Sequence, residues 1–593
     1  MFKKNVTENW DYALTIKAII ITLFALLTSM SVSAQQLPSA GQELERERQR
    51  EEQRKLPSFP SEIIEPAKPT RPISDAGVKI PVISFVFTGE MSVFPESVLQ
   101  AQVADAIGKE LSLKELKSIV ARIETLYTEH GYFLSQAIIP PQDATEGTIR
   151  LEIIEGYRDE SPAGLQIEGE NLRIHPEKIR AIIKSALPSN QPVQQLALER
   201  GVLLIKNLSG VDAEINLDQG GKPGTTRLIL DVKESPMIAA SAGVDNTGSR
   251  LLGSTRVNLS MNVSNPMGWG EQLTANAAKS LGTGSLDYLS LGYSHPLGSR
   301  GLRLGLNYNH LNYNVGKEFT SLNVSGSSNA WGVDARYPVI LNRLNNLSLL
   351  GGMDYKLSEE KTGSIKTGAS KIISKRIGLG ASHVDEFWNG GITEGMITYH
   401  WGDLDLSEVA SSLAADQAAT GPHTHGQYSK IEWNLRRTQR TTDNFFIVAD
   451  IRGQTALDNL GSSEKIQLGG PSGVRAYPGG EASGDSGYIT TLEGQYTVKS
   501  AAKYGDARLI FFYDWGHIQK YHTASNLVMT TPNSYNLHGY GIGIKVTQQN
   551  SYDISLTWAR RTGKNPARDA VTGNDADGSR DLDRFWITAL YNF

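Results

Sequence analysis

Apolar and polar positions along this chain change period once, near Ser235. Before that point, stretches with apolar residues three and four apart lie between short alternating runs. The run VISFVFTG from Val82 reads as a strand ending in a turn. Residues 95–107 and 113–130 read as amphipathic helices, and Gly131 as a left-handed cap that stops the second. Residues 137–139 and 148–154 read as strands, completing the order β-α-α-β-β. The same order recurs over 165–168, 176–187, 193–207, 211–217 and 226–232. A module repeated in this way is a tandem pair of α+β domains, spanning 81–158 and 159–234.

Beyond Ser235 the helical period disappears. Short segments alternate apolar with polar between Gly, Asn, Asp and Ser. Sixteen such segments can be marked, the first beginning near Met237 and the last near Phe585. Their connections alternate in length. Long ones at 309–328, 357–372, 402–426, 456–487, 517–536 and 561–584 are interleaved with short ones such as 295–301, 437–444 and 548–552. A soluble sandwich has no reason to alternate loop length. A transmembrane β-barrel of 16 antiparallel strands does, with short periplasmic turns and long outer loops. The predicted barrel spans 235–593. On its last strand Phe585, Ile587, Ala589, Tyr591 and Phe593 share one face, predicted to meet lipid, while Thr588 and Asn592 face the lumen. An ordinary edge strand would leave that wide apolar face exposed.

The beginning of the chain adds a compartment. Lys3, Lys4 and Lys17 precede the apolar run 18–27, followed by Val32, Ser33 and Ala34. That layout predicts a secretory signal over 1–34 with maturation at Gln35; the run is too short for a membrane anchor. Next, QELERERQREEQRKL within 35–56 lacks Gly and Pro and sets opposite charges about four apart, so it reads as one highly polar helix. With little apolar face to bury, it needs wet surroundings. A linker over 57–80 follows, rich in proline from Pro57 to Pro81.

Composition changes this picture little. The net charge of −5 gives no support to nucleic-acid binding, and the absence of cysteine excludes disulfides and thiolate metal sites. A mean hydropathy of −0.29 suits a soluble protein, yet a barrel with a polar lumen scores alike because only alternate residues meet lipid.

Candidate chemistry concentrates in one connection. The loop 456–487 contains LGGPSGVRAYPGGEASGDSGY, and two strands on the chain reads RLIFFYDWG. If Leu509, Phe511, Tyr513 and Trp515 share the lipid face, Phe512 and Asp514 point into the lumen. A carboxylate among aromatics there wants a cation, and Arg475 can meet it with two hydrogen bonds. The loop would then fold inward and be fastened to the wall. Glu493, on the lumen face of its strand, is a second candidate partner. The residues alone leave open a solvated Arg475 and a hydrated Asp514. His423 and His425 lie in a long outer loop with no carboxylate at helical spacing, so surface histidines are expected rather than a metal site. No GxSxG or GxxxxGK[ST] motif is present. No enzyme activity, cofactor or metal is expected.

Val474, Arg475, Ala476 and Tyr477 resemble the VRGY-type loop signature of the outer-membrane insertase and two-partner secretion superfamily. FFYDWG resembles its partner strand motif, and the repeated modules resemble polypeptide-transport-associated (POTRA) domains. Residues 131–157, GYFLSQAIIPPQDATEGTIRLEIIEGY, are similar to the first such domain of two-partner secretion transporters of the hemolysin-activator type. The resemblance spans nearly the whole mature chain; Ala476 departs from it where many relatives have Gly. It implies an outer-membrane translocator with periplasmic POTRA domains that exports a large partner exoprotein. It implies a plug role for the leading helix and an assembly signal in Tyr591 and Phe593 that the barrel assembly machinery reads. From the residues alone, a solvated tail remains open for that helix. An insertase of the same superfamily is the nearest alternative. The tandem modules argue against a diffusion porin.

Overall fold

The computed structural model describes residues 37–54, 79–498, 505–548, 550–569 and 572–593; the signal segment 1–34 and most of the linker lie outside them. In the first module the helix Leu113–Glu129 starts at a capping box, in which the Ser112 hydroxyl accepts from the Glu115 N–H and the Glu115 carboxylate from the Ser112 N–H. It buries Leu116, Ile119, Ile123 and Tyr127 on one face, and Gly131 follows with φ +85°. With Glu96–Val103 it covers a three-stranded sheet ordered Ser84–Gly89, Thr148–Ile154, Gln136–Ile138. The first two strands run parallel and the third antiparallel. The second module repeats the plan. Leu165–Glu168 runs parallel to Thr225–Glu234, and Val211–Gln219 pairs its other edge antiparallel. Helices Pro176–Ala186 and Gln195–Lys206 bury Ile179, Ile182, Ile183, Leu204 and Ile205 over that sheet.

The two modules and the barrel are joined by hydrogen-bonded seams. Between the modules, Tyr157–Arg158 adds to the second sheet beside Thr225 and Thr226, while the Tyr157 hydroxyl donates to buried Glu155 of the first module at 3.1 Å. At the barrel, the Lys178 ammonium donates to the carbonyls of Pro296 and Gly298 at 2.8 and 2.7 Å, and Arg200 donates to that of Pro338 at 2.7 Å. Near the first seam Asp159 accepts from the Gly221 N–H at 2.9 Å and the Ser161 N–H at 2.8 Å. Those two donors hold its carboxyl below the usual carboxylate range. A depressed native pKa stabilises the fold above the unfolded-state value of about 3.9, and that contribution is lost as pH falls below it. Asp159→Asn should therefore lower the melting temperature of the modules at pH 7 and make progressively less difference as the pH is lowered through the native-state value. A loss that does not change with pH would assign the effect to packing instead.

The barrel closes among the described residues as sixteen antiparallel strands in sequence order, from Ile238–Asp245 to Asp583–Asn592. The seam pairs Ser241 with Asn592 and Asp245 with Thr588, and the Phe593 N–H donates to the Ala240 carbonyl at 2.8 Å. On the module side the turns 265–271, 298–301, 342–344, 386–390 and 441–444 are short. At the far end 406–425, 457–485, 520–533 and 562–582 are long.

One expected long connection is absent. Residues 357–372 continue the strands Asn345–Thr362 and Ile365–Asp385 up to a tight turn at Gly363, φ +60°. Strand ends that stand clear of a bilayer carry polar residues on both faces, so the two-residue period that marks a strand is missing there. For the same reason Leu302–Asn314 and Val324–Leu341 shorten the expected loop 309–328.

The outward face is apolar, with Val333, Leu349, Ile377, Leu379, Ile397, Leu435, Phe511 and Ile587 all exposed. Towards the long-loop end it is ringed by aromatics: Tyr308 meets Trp331 at 5.5 Å, Trp331 meets Tyr355 at 5.8 Å, and Tyr399 meets Trp401 at 5.7 Å between centroids. Such a girdle marks a membrane–water boundary. No described helix is long and apolar enough to cross a membrane; the strands do so.

Candidate functional site

Two segments fill the lumen, and each is held by charge. The loop between strands Phe445–Ala456 and Ser486–Val498 carries a short hairpin, Ile466–Gln467 against Ser483–Gly484. Its tip lies against the wall strand Asp506–Gln519, whose alternation sets Leu509, Phe511, Tyr513 and Trp515 outward and Phe512 and Asp514 inward. Arg475 donates from Nε to Asp514 Oδ2 at 2.8 Å and from Nη2 to Oδ1 at 2.7 Å. Its Nη1 donates to Glu493 Oε1 at 2.7 Å, and its backbone N–H also reaches Asp514 Oδ2 at 3.0 Å. The guanidinium lies 3.4 Å over the Phe512 ring, so a flat cation is held by two carboxylates and an aromatic face. Asp514 is 0% exposed and also accepts from the Thr491 hydroxyl at 2.9 Å.

The neighbours of Arg475 are seated in gaps left by glycines of the wall. Val474 is buried over Gly516, where an added Cβ would lie 2.9 Å from Val474 Cγ2. Ala476 faces Gly539, where an added Cβ would lie 2.4 Å from its own. Ala476 is not among the residues with positive φ, so no left-handed backbone demands glycine here. Tyr477 is buried near Arg561, 5.7 Å from ring centroid to guanidinium carbon. Three further supports escape a reading of the sequence. The Trp586 indole N–H donates to the Arg475 carbonyl at 2.8 Å. Buried Glu481 accepts from Asn565 Nδ2 at 2.7 Å and the Ala576 N–H at 2.8 Å, tying the loop to the outer connection 562–582. Glu464 accepts from Lys356 at 2.9 Å and from Lys430 at 3.1 Å. Nothing in a linear sequence distinguishes these carboxylates from the others, because their partners are distant along the chain.

The helix Ala40–Arg54 lies in the lumen beside that loop. Its 15 residues rise about 22 Å at 1.5 Å each. Glu47 accepts from Arg256 Nη1 with both oxygens, at 2.7 and 2.8 Å, and Arg256 also holds Asp245 through two bonds of 3.0 Å. Arg256 is 1% exposed. Arg50 joins Glu47 and donates to the Thr247 carbonyl at 2.6 Å. On the opposite wall Arg48 meets Asp354 at 3.3 Å and Glu45 meets Lys356 at 3.3 Å. Towards the loop, Arg46 Nε donates to Gln467 at 2.9 Å and Gln42 to Ser483 at 2.7 Å. A helix that buries only Ala40 and Leu44 in an apolar cluster is thus held mainly by polar and charged groups of the wall and loop. Tyr591 and Phe593 are on the outward face at the seam, rings 5.0 Å apart. His423 and His425 cap a loop around buried Asp416, and among the described residues no group of acidic and histidine side chains could hold a metal.

Residues 224–546 match the family described as haemolysin secretion/activation protein ShlB/FhaC/HecB, and residues 80–156 match the ShlB-type POTRA domain. The first match covers more than half of the 593 residues. The chain belongs to the ShlB/FhaC/HecB family. Both Arg475 and Asp514 lie inside the family match, whereas the lumenal helix lies outside both matches. Among curated proteins the chain is 26% identical to the heme/hemopexin transporter protein HuxB of Haemophilus influenzae strain 86-028NP, over 82% of each chain. It is 21% identical to the outer membrane transporter CdiB of Dickeya dadantii, over 75% of this chain and 77% of that one. Among solved structures, CdiB from Escherichia coli superposes with a TM-score of 0.73 at 18% identity, covering 94% of this chain and all of its own. CdiB from Acinetobacter baumannii gives 0.64 at 18% identity, over 93% and 97%. The two solved structures share the fold of this chain.

Proposed function

We propose that this ShlB-family chain is an outer-membrane translocator that exports one large partner exoprotein from the periplasm to the cell surface by two-partner secretion. The observation that carries the reading is a lumen filled by one charged helix and one fastened loop, in a barrel that bears two docking modules. A diffusion porin needs a standing aqueous path and has no use for the modules. An insertase of the same superfamily remains the alternative, and the lumenal helix favours secretion over it.

The modules hang on the short-turn side, which in outer-membrane barrels is periplasmic. The unfolded partner docks there, adding a strand to an open sheet edge such as Ser84–Gly89. The helix Ala40–Arg54 acts as a plug that leaves the lumen, and the Arg475–Asp514 pair keeps the loop and channel in shape as the partner threads outward. Folding of the partner outside supplies the drive, since no nucleotide motif is present. Tyr591 and Phe593 serve the assembly machinery that inserts the barrel among outer-membrane lipids.

The deciding experiment deletes residues 82–233 and assays the culture medium for the product of a neighbouring gene that encodes a very large secreted protein. Loss of export with the barrel still inserted is the expected result. Unchanged export, or a general defect in barrel insertion of other outer-membrane proteins, would favour the alternatives.

A further inference from the structure

The turn 386–390 does something no other described turn on the module side does: it displays a phenylalanine and a tryptophan side by side. Phe387 is 70% exposed and Trp388 69%, with ring centroids 6.0 Å apart. Trp388 has φ +51° and Asn389 φ +72°. For a bulky side chain the left-handed region is costly, and it persists only where surrounding groups impose it. Here they do. Gln439 is 7% exposed, and its amide N–H groups donate to the carbonyls of Phe387, Trp388 and Gly390 at 2.7, 3.0 and 2.9 Å. The Asp385 carboxylate accepts from the Phe387 N–H at 3.0 Å and from Arg437 Nη2 at 2.9 Å, and Asn389 Nδ2 donates to the Thr441 carbonyl at 2.9 Å.

The position of the clamp says which way the turn leans. Gln439 and Arg437 share one face of the strand Gly426–Arg440 with Leu435 and Trp433, and exposed Leu435 marks that face as the outer one. The turn therefore folds over the lipid side of the wall and away from the channel mouth.

Depth agrees. Lys375 stands opposite Trp401 in the aromatic girdle at the long-loop end. Down the same strand to Asp385, a rise of about 3.3 Å per residue and a tilt of about 40° descend roughly 25 Å, the height of the apolar band. Outward Ile377 and Leu379 lie within that span, and the polar pair Asp385–Arg437 closes it. Phe387 and Trp388 follow immediately, with the exposed Arg440 donating to the Asn389 carbonyl at 2.9 Å beside them.

We infer that the turn 386–390 is a membrane anchor, a clamped aromatic pair inserted among the phospholipid headgroups of the leaflet on the module side. The rings occupy the glycerol and carbonyl layer, where tryptophan is favoured. Turns 265–271, 298–301 and 342–344 are near or under the second module, through contacts such as those of His175 and Lys178, so this turn anchors the part of the rim the module leaves bare.

The chain contains no cysteine, so single labels can be placed cleanly. The full-length Phe387→Cys protein, carrying an environment-sensitive fluorophore, is reconstituted in phosphatidylethanolamine–phosphatidylglycerol vesicles. Glu129→Cys, exposed on the first module, serves as the comparison. The label at 387 should lose most of its emission to lipids with a nitroxide near the headgroup and little to aqueous iodide; the label at 129 should do the reverse. Adding Gln439→Ala should return iodide access to position 387, with heat-modifiable gel mobility checking that the barrel is folded. Iodide quenching at 387 equal to that at 129 would overturn the anchor. So would a label shielded only when a secreted partner segment is added, which would make the pair a protein-docking site.

Discussion

Arg475→Ala is expected to abolish export while leaving the barrel folded and inserted. The substitution removes three side-chain bonds to Asp514 and Glu493 and the cover over Phe512. It leaves Asp514, 0% exposed, without its cation. Breaking a buried ion pair by removing one partner costs about 3–5 kcal/mol. That cost falls on the loop, because the strand carrying Asp514 keeps its ladder from Ala507 to Gln519 on both sides. The loop should leave the wall, and the barrel should survive. Arg475→Lys should restore export only in part, since an ammonium cannot span both Asp514 oxygens and reach Glu493 together. Arg475→Ala with Asp514→Ala should relieve the local cost without recovering transport. The measurements are partner protein in the medium and heat-modifiable mobility of the barrel. Normal secretion from Arg475→Ala would remove the loop anchor from the mechanism.

The second large effect concerns the helix. Glu47→Arg should drive it out of the lumen, because the new cation would face Arg256 and Arg50 where a carboxylate now answers both. Two like charges roughly 3 Å apart at an effective dielectric of about 20 repel by about 5 kcal/mol. Arg256 would remain paired with Asp245, so the wall itself keeps its bonds. Planar-bilayer recordings should show the variant resembling a chain lacking residues 37–54, with larger open-channel currents than the unaltered protein. Glu47→Gln, which removes attraction without adding repulsion, should fall between them. Recordings indistinguishable from the unaltered protein would mean that the helix does not gate the lumen.

These two sites differ in how far a sequence can announce them. The loop signature and FFYDWG are local words, and alternation along 508–516 is enough to place Asp514 on the lumen face. The supports around them are not local. Trp586 reaches the Arg475 carbonyl from the last strand, and Glu481 is held by residues of the final outer connection. Gly516 and Gly539 read as small strand residues; only the opposing loop shows that Val474 and Ala476 need the space. Alanine in place of glycine at Ala476 leaves the backbone angle open in the sequence, and the absence of a positive φ there closes the question. The connection 357–372 escapes detection for the opposite reason. Glu359, Lys361 and Lys366 pair on one face while Glu360 on the other accepts from the Ala40 N–H, and a strand polar on both faces has no alternation to detect.

What the amino-acid order determined by itself is whatever depends on neighbours along the chain. That covers the period-two faces that make sixteen lipid-facing strands, the helical stripes and caps of the modules, and a helix too polar to pack against an ordinary core. What only the tertiary structure decided is which charge answers which. The chain has 58 basic and 63 acidic residues, and linear spacing cannot choose Glu47 for Arg256 or Glu464 for Lys356. Closing the barrel makes that choice, because it brings residues hundreds of positions apart into a narrow lumen where an unmatched charge is expensive.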